Sequence, residues 1–492
     1  MGKAYIGADL GTTGIRAGVY DGGFRLLGTG SGTSTVRRGP GGSLTQDPDE
    51  MYFETAKAVK RAIRDAGIEK ADVAAVSFDG QMAGIMGIDA GWKATTPYDS
   101  WLDTRCAPQV ERMRRAQREI VRKTGIIPSF NHGPKMLWWK ENERDAFRRT
   151  SGFILPAAYV AGRLGDLAGR DAFIDWTYLH FTGFSDNRRL KWDERLTAMF
   201  GFPASKLPRI VSPLTVVGEA SGAGARLFGL KPGTPIAAGC GDTAACFLGT
   251  GAVVPGIAVD VAGTASVFAL ATDRFLAETA GTVYASRSVI DGLWYSMSYI
   301  NGGGMCLEWF RKTFAPDTSF AKLNRLVGAV PPGSDGLIFV PHLEGRAYPN
   351  NPALRGHWKG FTWGHGLAHF YRSILEGIGY EYGIYKETIM KLNGGEIPVG
   401  VRAVGGGSKS GVWNQIKSDI LGSNYSTINR EDISTLGSAL VAASSVGHVK
   451  SLKETVRRIV KEKTTFSPDR KNTRVYAGSV SRYKKLLSEA DA

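Results

Sequence analysis

Two segments, one close to the N-terminus and one just past the middle of the chain, follow the same pattern. Each places an Asp and then Gly-Thr between two strand-like apolar runs, first over Ile6 to Thr12 and again over Ala258 to Thr264. An internal repeat of this kind predicts two related domains. The chain of 492 residues is also longer than one ordinary hydrophobic core can organise. We therefore predict a first domain over residues 1–246 and a second over residues 247–492.

Strand patterns and amphipathic helix patterns alternate along the chain. Ala4 to Leu10 and Val73 to Phe78 have the composition of strands, whereas Glu50 to Ala66 and Arg105 to Lys123 space their apolar residues as a helix does. A longer helix is predicted within residues 360–392. This alternation is typical of an α/β architecture in which helices cover the sheets.

Charge and hydropathy argue against several classes of protein. The net charge is +15, but basic and acidic residues are mixed within the same helical segments, which is not the pattern of a nucleic-acid reader. The longest uncharged run, Thr243 to Val259, is interrupted by glycines and is shorter than the ~20 apolar residues of a membrane helix. The four cysteines form no C-x-x-C pair, and the first residues lack a signal-peptide pattern. We expect a cytoplasmic protein that binds neither nucleic acid nor a membrane.

The turn after the first strand has the residues of a phosphate site. Gly11 lets the backbone approach a ligand closely, and the hydroxyls of Thr12 and Thr13 can donate to phosphate oxygens. Asp9 stands at the end of a buried strand, where a carboxylate can orient Mg²⁺ or its waters. An ordinary β-hairpin is the alternative interpretation of this segment.

Two further glycine motifs occur in the second half of the chain. Gly263-Thr264 repeats the first turn, with a plain hairpin again as the alternative. Gly405 to Ser408 follows the strand Val401 to Val404 and precedes a helix running to about Leu421, a setting that suits nucleotide phosphates or a flat base. No G-x-x-x-x-G-K-[ST] segment occurs, so this is not a P-loop.

Asp242 follows a predicted strand and opens a helix of small residues. As a helix N-cap it would need no further explanation, because Asp is among the best capping residues. As a carboxylate beside phosphate-type loops, it could accept the proton of an alcohol during phosphoryl transfer. The sequence by itself leaves both interpretations open.

Taken together, these motifs resemble the FGGY carbohydrate kinases of the actin and hexokinase-like ATPase superfamily. Residues 135–142 are similar to the first signature of that family and residues 360–377 to the second. The resemblance covers nearly the whole chain. In order, the matching segments are Asp9-Leu10-Gly11-Thr12-Thr13, Gly241-Asp242, Gly263-Thr264, Asn301-Gly302-Gly303-Gly304 and Gly405-Gly406-Gly407-Ser408.

The resemblance implies two ribonuclease H-like domains flanking a catalytic cleft, with ATP and Mg²⁺ as cofactors. It implies that Asp242 is the general base and contacts the sugar, and that Asp9 and Asp242 lie on the Mg²⁺ side. The ATP-binding residues that it implies are Gly11, Thr12, Thr13, Arg16, Gly263, Thr264, Gly303, Gly304, Gly406, Gly407 and Ser408.

The substrate segments are similar to those of xylulokinases. Gln81 and Met82 belong to one such segment, and Trp101, Asp103 and Arg105 belong to the other, so the resemblance implies a sugar pocket built from these five residues. A plain salt bridge is the alternative interpretation of the Asp103 and Arg105 pair.

Two positions depart from the xylulokinase pattern. Ala83 replaces its usual His, and Asp79 stands where Ser is common. Losing an imidazole removes one hydrogen-bonding partner, and gaining a carboxylate offers another. We therefore expect a preference for a substrate other than D-xylulose.

We predict an ATP-dependent kinase that phosphorylates a hydroxyl of a small sugar, a pentulose or other ketose. A polyol kinase is the first alternative, and a non-metabolic actin-like ATPase or a sugar-binding regulator is a weaker one. The expected partners are the sugar and ATP, and a homodimer is a further hypothesis.

Overall fold

The computed structural model describes residues 2–397 and 399–490. The described residues form two compact units. Unit 1 takes its residues from Met1–Val253, Ser286–Leu293 and Asp432–Ile459, and unit 2 from Val254–Ala285, Trp294–Glu431 and Val460–Ala492. Unit 1 thus includes two segments that lie beyond the boundary predicted at residue 246, and the division at 246 stays a prediction.

The helices and strands have the following bounds. The strands are β1 Ala4–Leu10, β2 Gly14–Tyr20, β3 Leu26–Thr33, β4 Arg37–Arg38, β5 Leu44–Gln46, β6 Val73–Gly80, β7 Met86–Ile88, β8 Tyr98–Asp99, β9 Gly152–Ile154, β10 Phe173–Asp175, β11 Ser185–Asp186, β12 Lys191–Trp192, β13 Arg209–Val211, β14 Val216–Glu219, β15 Pro235–Ala237, β16 Cys240–Gly241, β17 Ile257–Ala262, β18 Ser266–Thr272, β19 Tyr284–Arg287, β20 Trp294–Ile300, β21 Ile338–Val340, β22 His357–Lys359, β23 Gly400–Val404, β24 Asn424–Ile428 and β25 Glu462–Phe466. The α-helices are α1 Pro48–Ala66, α2 Ala107–Arg114, α3 Gln117–Thr124, α4 His132–Asn142, α5 Arg144–Arg149, α6 Pro156–Gly165, α7 Glu194–Met199, α8 Gly222–Phe228, α9 Asp242–Thr250, α10 Gly303–Phe314, α11 Phe320–Val327, α12 Leu367–Asn393, α13 Gly411–Leu421, α14 Ile433–Ser445, α15 Leu452–Ile459 and α16 Arg470–Ala490.

The central sheet of unit 1 has seven strands. Six of them follow the order β14-β15-β6-β1-β2-β3, and β16 pairs with β6. Strands β1, β2 and β3 form an antiparallel meander, whereas β6 lies parallel to β1 on its other side. The side chains of β1 are almost all buried, which fits its nearly continuous apolar sequence.

Helices α1 and α14 cover the sheet of unit 1. Asp47 caps α1 by accepting hydrogen bonds from the backbone N–H groups of Asp49 and Glu50, and Gly67 ends the helix in the left-handed conformation. Helix α14 lies against β1, β6 and α9, and most of its residues are buried. The strand β1 is therefore covered by a helix from a distant part of the chain.

Unit 2 repeats the same design. Its sheet follows the order β19-β20-β18-β17-β23-β24-β25, in which β17, β18 and β20 are antiparallel and β23 lies parallel to β17. An antiparallel meander with a parallel strand beside its first strand thus occurs in both units. The predicted α/β class is confirmed, and the sequence repeat corresponds to a structural one.

Buried carboxylates join the helices of unit 2. Glu376 on α12 accepts a hydrogen bond from the hydroxyl of Tyr476 at 2.8 Å, and Glu381 accepts one from Tyr483 at 2.6 Å. Both tyrosines lie on α16, so the C-terminal helix is tied to α12 by paired polar groups. No helix within the described residues has both the length and the apolar character needed to cross a membrane.

Candidate active site

Three aspartates meet at one end of the sheet in unit 1. Asp9 and Asp79 are register partners on the parallel strands β1 and β6, and Cys240 on β16 is also paired with Asp79. Asp242 follows directly after β16, whose Gly241 pairs with the last residue of β6. Because the carboxyl ends of parallel strands meet at the same edge, the sheet brings these carboxylates together.

The electrostatics of this group reflect burial and like-charge crowding. Burial raises the pKa of Asp242 to about 7, and the charge of Asp9 adds to the shift. Burial also raises the pKa of Asp9, although contact with Asp79 and the charge of Arg16 partly offset it. The pKa of Asp79 is raised well above its usual range, first by burial and then by the charge of Asp9. Burial and like-charge repulsion together oppose full ionisation of all three carboxyl groups.

The fit of this group to Mg²⁺ follows from its donors. Mg²⁺ is commonly bound by one or two carboxylates, with waters and substrate phosphates completing its shell. Asp9 and Asp242 supply such a pair, and neither is fully buried. Within residues 2–397 and 399–490, no group of three or more His, Cys, Asp or Glu side chains has the geometry to hold a metal by itself. The residues therefore fit an ion shared with a phosphate ligand.

Asp79 is not placed to meet a substrate directly. Its side chain is fully buried, and its Oδ2 accepts a hydrogen bond from Ser438 Oγ at 2.5 Å. The other oxygen receives no hydrogen bond from the described residues. The expectation that this carboxylate offers the sugar a new partner is therefore wrong, because helix α14 covers it.

Asp242 is the first residue of α9, and the N-cap is Gly241, which has no side-chain capping bond. Asp242 Oδ1 accepts hydrogen bonds from the backbone N–H of Thr243 at 2.5 Å and from its hydroxyl at 3.1 Å. These bonds fix the carboxylate at the start of the helix. The interpretation of Asp242 as a simple N-cap is thus not what the structure shows.

A second network supports the backbone beside Asp242. The hydroxyl of Thr177 accepts a hydrogen bond from Gly241 N at 2.9 Å and donates one to Asp175 Oδ1 at 2.5 Å. The hydroxyl of Tyr178 donates to the carbonyls of Gly80 at 2.9 Å and Cys240 at 3.1 Å. These residues belong to none of the predicted motifs, although the lone Asp in the apolar run 173–176 was a usable signal.

Thr12 connects the first phosphate-type loop to the predicted sugar residues. Its hydroxyl donates to Gln81 Oε1 and accepts from Trp101 Nε1, each at 3.0 Å. Gln46 donates to the carbonyl of Thr12 at 3.2 Å and accepts from Gln81 Nε2 at 2.9 Å. The structure therefore brings together residues 12, 81 and 101, and adds Gln46, which sequence analysis missed.

The indole of Trp101 is held at its edge by this network, while the residue remains 41% exposed. Met82 lies next to Gly241, where a Cβ on that glycine would come within 2.6 Å of the Met82 side chain. Met82 therefore contacts the turn before Asp242, whereas Trp101 contacts the loop that carries Thr12. Thr13 and Arg16 are exposed.

Asp103 and Arg105 form an ion pair. Arg105 Nε donates to the two Asp103 oxygens at 3.1 and 2.9 Å, and its Nη2 donates to Asp99 at 2.6 Å. The guanidinium also lies over the ring of Trp138, 4.3 Å from its centre. The salt bridge that was the alternative interpretation is present, and a sugar-binding role for the pair stays a prediction.

Most predicted nucleotide residues of unit 2 border one cavity of about 690 Å³. A volume of this size is typical of a small-molecule site. Apolar side chains, among them Trp413, Phe320 and Tyr371, form much of the remaining wall. Such a wall suits a flat aromatic base. The predicted residues on the wall are Gly263, Thr264, Gly304, Gly406 and Gly407.

The glycine at position 304 is required by a close approach of two backbone segments. A Cβ there would lie 2.0 Å from the carbonyl oxygen of Gly263. Gly303 and Ser408 are chain neighbours of wall residues rather than part of the wall. The hydroxyl of Ser408 donates to the carbonyl of Gly405 at 2.7 Å, so it holds the shape of that loop.

Asp260, the acid of the second repeat, has a different place from Asp9. It is fully buried in unit 2, where Lys417 Nζ and the hydroxyl of Tyr382 both donate to it. The two repeats therefore share the strand and the glycine turn but not the position of the carboxylate.

Strand-end carboxylates in one α/β unit and a glycine-walled cavity in a second unit of the same design are features of nucleotide-dependent phosphotransferases. Residues 4–249 match the N-terminal domain of the FGGY family of carbohydrate kinases, and residues 258–446 match its C-terminal domain. The chain belongs to this family. It is accordingly a carbohydrate kinase, an enzyme that transfers a phosphoryl group from ATP to a sugar.

Similar proteins support the same assignment over the full length. The chain is 27% identical to the xylulose kinase of Bacillus subtilis (strain 168) over 99% of this chain and 97% of that protein. It is 25% identical to the gluconokinase of the same organism, over 92% and 89% of the two chains. The crystal structure of ligand-bound xylulose kinase from Lactobacillus acidophilus has the same fold, with a TM-score of 0.92, 22% identity and coverage of 100% and 99%.

Proposed function

We propose that this kinase phosphorylates a hydroxyl of a small sugar, a pentulose or other ketose, and that Asp242 is its general base. The observation that carries the proposal is the placement of Asp242: its carboxylate stands at the strand ends beside Asp9 and is oriented by Thr243, and the residue lies inside α9, one position after the N-cap Gly241. Phosphoryl transfer to an alcohol requires an acceptor for the hydroxyl proton, and a carboxylate in this position can serve.

Residues of unit 1 have separate roles in the reaction: one accepts the proton, and two would bind the metal ion. Asp242 accepts the proton from the attacking hydroxyl through Oδ2, and Thr243 holds the carboxylate in place by donating to Oδ1. Asp9 and Asp242 would hold Mg²⁺, which supplies positive charge to the phosphates of ATP when it is bound. Mg²⁺ beside Asp242 would lower the pKa that burial raises, which keeps the carboxylate ionised so that it can accept the proton.

The sugar is oriented by the network around Thr12. Gln81 is buried and uses one amide hydrogen and its oxygen within the protein, which fixes its amide plane and orients Thr12 beside the proposed sugar site. Trp101 offers an exposed aromatic face to the C–H side of a sugar. In unit 2, the cavity beside Gly263 and Gly407 is the proposed binding site for the adenosine of ATP.

Ala83 removes a polar partner from this pocket. Its backbone has a positive φ of 63°, and its side chain has no hydrogen-bonding group. A ligand group that meets no partner loses about 1–3 kcal/mol, which changes specificity tenfold or more. We therefore expect a ketose other than D-xylulose as the preferred substrate, with a polyol as the second candidate.

A screen of pentuloses, hexuloses and polyols in an ADP-release assay tests this proposal. We expect one ketose other than D-xylulose to give the highest kcat/KM. The highest value on a polyol would favour the second candidate, and the highest value on D-xylulose would contradict the inference from Ala83.

The cellular setting is a further part of the proposal. All four cysteines, Cys106, Cys240, Cys246 and Cys306, are free thiols, which fits a reducing cytoplasm. Independence from membranes and nucleic acids and the homodimer stay predictions, which vesicle and oligonucleotide binding and light scattering of the purified protein can test.

A further inference from the structure

A second cavity, in unit 1, is lined by none of the residues assigned to catalysis or substrate binding. It has a volume of about 620 Å³ and is bordered by residues of helices α2, α3 and α7. Many like charges on one concave surface repel each other and attract anions. The charged residues of its wall are five arginines and one glutamate: Arg112, Arg115, Arg118, Arg122, Arg195 and Glu119.

The nearby acids neutralise only part of this charge. Glu119 lies 3.4 Å from Arg195 and 3.9 Å from Arg122, so one carboxylate serves two guanidiniums. Arg112 binds Glu141 through Nη2 at 2.6 Å. Two arginines of the wall remain outside these pairs.

These two arginines, Arg115 and Arg118, are exposed, and neither side chain has an ion-pair or hydrogen-bond partner anywhere in residues 2–397 and 399–490. The Nε of Arg112 is buried and also has no partner in that part of the chain. A guanidinium presents a planar fork of donors that matches the oxygens of a phosphate group. The wall thus holds several donors that an anion could satisfy.

The rest of the wall limits what kind of anion would fit. Ala116, Met199 and Phe200 give the wall an apolar part beside the charged groups. The volume is within the range of roughly 300–1,000 Å³ found for small-molecule sites, and it is much larger than a lone phosphate fills. A ligand with an anionic end and an apolar or aromatic body would satisfy both surfaces.

We propose that this arginine cavity binds a small organic phosphate whose body is apolar or aromatic. Helix α2 directly follows the segment that carries Asp103 and Arg105. A ligand bound here therefore contacts the helix that leads away from the predicted sugar segment, which places the site where it can influence sugar binding.

Calorimetric titration of the full chain with phenyl phosphate, inorganic phosphate and phenol tests this proposal. We expect phenyl phosphate to bind more tightly than inorganic phosphate and phenol to show no binding. The double variant Arg115→Gln/Arg118→Gln should lose at least about tenfold in affinity for phenyl phosphate, because each arginine supplies charge-assisted hydrogen bonds. Met199→Glu, which places a carboxylate on the apolar wall, should also weaken binding at least about tenfold.

The matched control is Arg25→Gln/Arg148→Gln, which removes the same charge from two exposed arginines of unit 1 outside the cavity. We expect its affinity to stay within about twofold of the unmodified chain. Equal affinity for inorganic phosphate and phenyl phosphate would mean an adventitious ion only. Unchanged affinity in the double variant, or binding of a single-stranded oligonucleotide but not of phenyl phosphate, would also overturn the proposal.

Discussion

Two sets of hydrogen bonds hold the carboxylate of Asp242 and the backbone next to it, one from the adjacent residue and one from a distant segment. Thr243 is adjacent in the chain, so its hydrogen bond to the carboxylate is a local feature. The support from Asp175 and Thr177 comes from a distant segment that contacts Gly241 only after folding. The sequence motifs predicted Asp242 itself. Asp175 and Thr177 come close to Gly241 only in the folded chain, and no sequence spacing predicts that contact.

Replacing Asp242 by Asn tests its role as a base. Asn keeps the size of the side chain and can accept the hydrogen bonds of Thr243, but it cannot take the substrate proton. We expect a folded enzyme with near-normal KM values and a kcat at least about a hundredfold lower. Steady-state kinetics with ATP and the best sugar from the substrate screen measure both quantities.

The matched control is Asp47→Asn, because Asp47 is a true N-cap in the same unit, at the start of α1. Asn and Asp cap helices about equally well, so this variant should keep its kcat within about twofold. An Asp242→Asn enzyme that retains most of its kcat would show that the proton goes elsewhere.

Asp175 should make stability depend on pH. Burial raises the pKa of its folded-state carboxyl to about 7, whereas the pKa of an unfolded Asp is about 3.9. The folded chain therefore keeps a proton that the unfolded chain releases, so this group lowers stability as pH rises from about 4 to about 7. Asp175→Asn removes that effect, and its oxygen can still accept both bonds from Thr177, since both fall on Oδ1.

As the pH rises from 5 to 8, the free energy of unfolding of the variant should increase by a few kcal/mol relative to that of the unmodified chain. Urea denaturation of both proteins at the two pH values measures the difference. A stability difference that is independent of pH would contradict a buried, protonated Asp175.

Helix periodicity identifies most elements but not their partners. The long helix predicted within residues 360–392 is α12, and the helix predicted to end near Leu421 is α13. The helical periodicity over Arg105 to Lys123 corresponds to two helices, α2 and α3, which are separated near Ala116. Periodicity also cannot say which sheet a helix covers, because every amphipathic helix offers the same kind of apolar face. The packing of α14 on the sheet of unit 1 could therefore not be predicted.

The contact between α14 and α9 depends on a glycine. A Cβ on Gly437 would lie 2.1 Å from the carbonyl oxygen of Ala245, so the two helices must separate to admit it. We expect Gly437→Ala to lower the free energy of unfolding by about 1–3 kcal/mol or more. Gly478→Ala is the matched control, because Gly478 lies in α16 with no atom within 4 Å of its added Cβ.

The control should be stabilised by up to about 1 kcal/mol, since Ala has the higher helix propensity. Chemical denaturation of the two variants tests both expectations. Equal effects of the two substitutions would mean that the α14 and α9 contact is looser than described.

At the scale of the whole molecule, each compact unit is built from segments that are not consecutive in the chain. The family's C-terminal domain spans residues 258–446, yet α14, which lies within that range, packs in unit 1. The repeat in the sequence predicted two related domains, and the structure has two units of one design. The repeat did not predict that α14 packs in unit 1, because neither of the two repeated segments includes this helix.

A fragment ending at residue 253 should therefore fail to fold. Without α14, the strands β1 and β6 lose the helix that covers one of their faces. We expect fragment 1–253 to show no cooperative thermal transition and rapid proteolysis, and the same fragment joined to residues 432–459 by a flexible linker to recover both properties. Circular dichroism melting and limited proteolysis compare the two, and a stable fragment 1–253 would contradict the assignment of α14.

The course of α14 also affects how this chain can be made in a cell. The strand bearing Asp9 leaves the ribosome early, but the helix that covers it is synthesised only after most of unit 2. At a translation rate of roughly 5–20 residues per second, the apolar face of that strand stays exposed for on the order of ten seconds or more before α14 can cover it. A nascent chain with such a delay is exposed to aggregation, so its yield should depend on chaperones that bind apolar segments during translation.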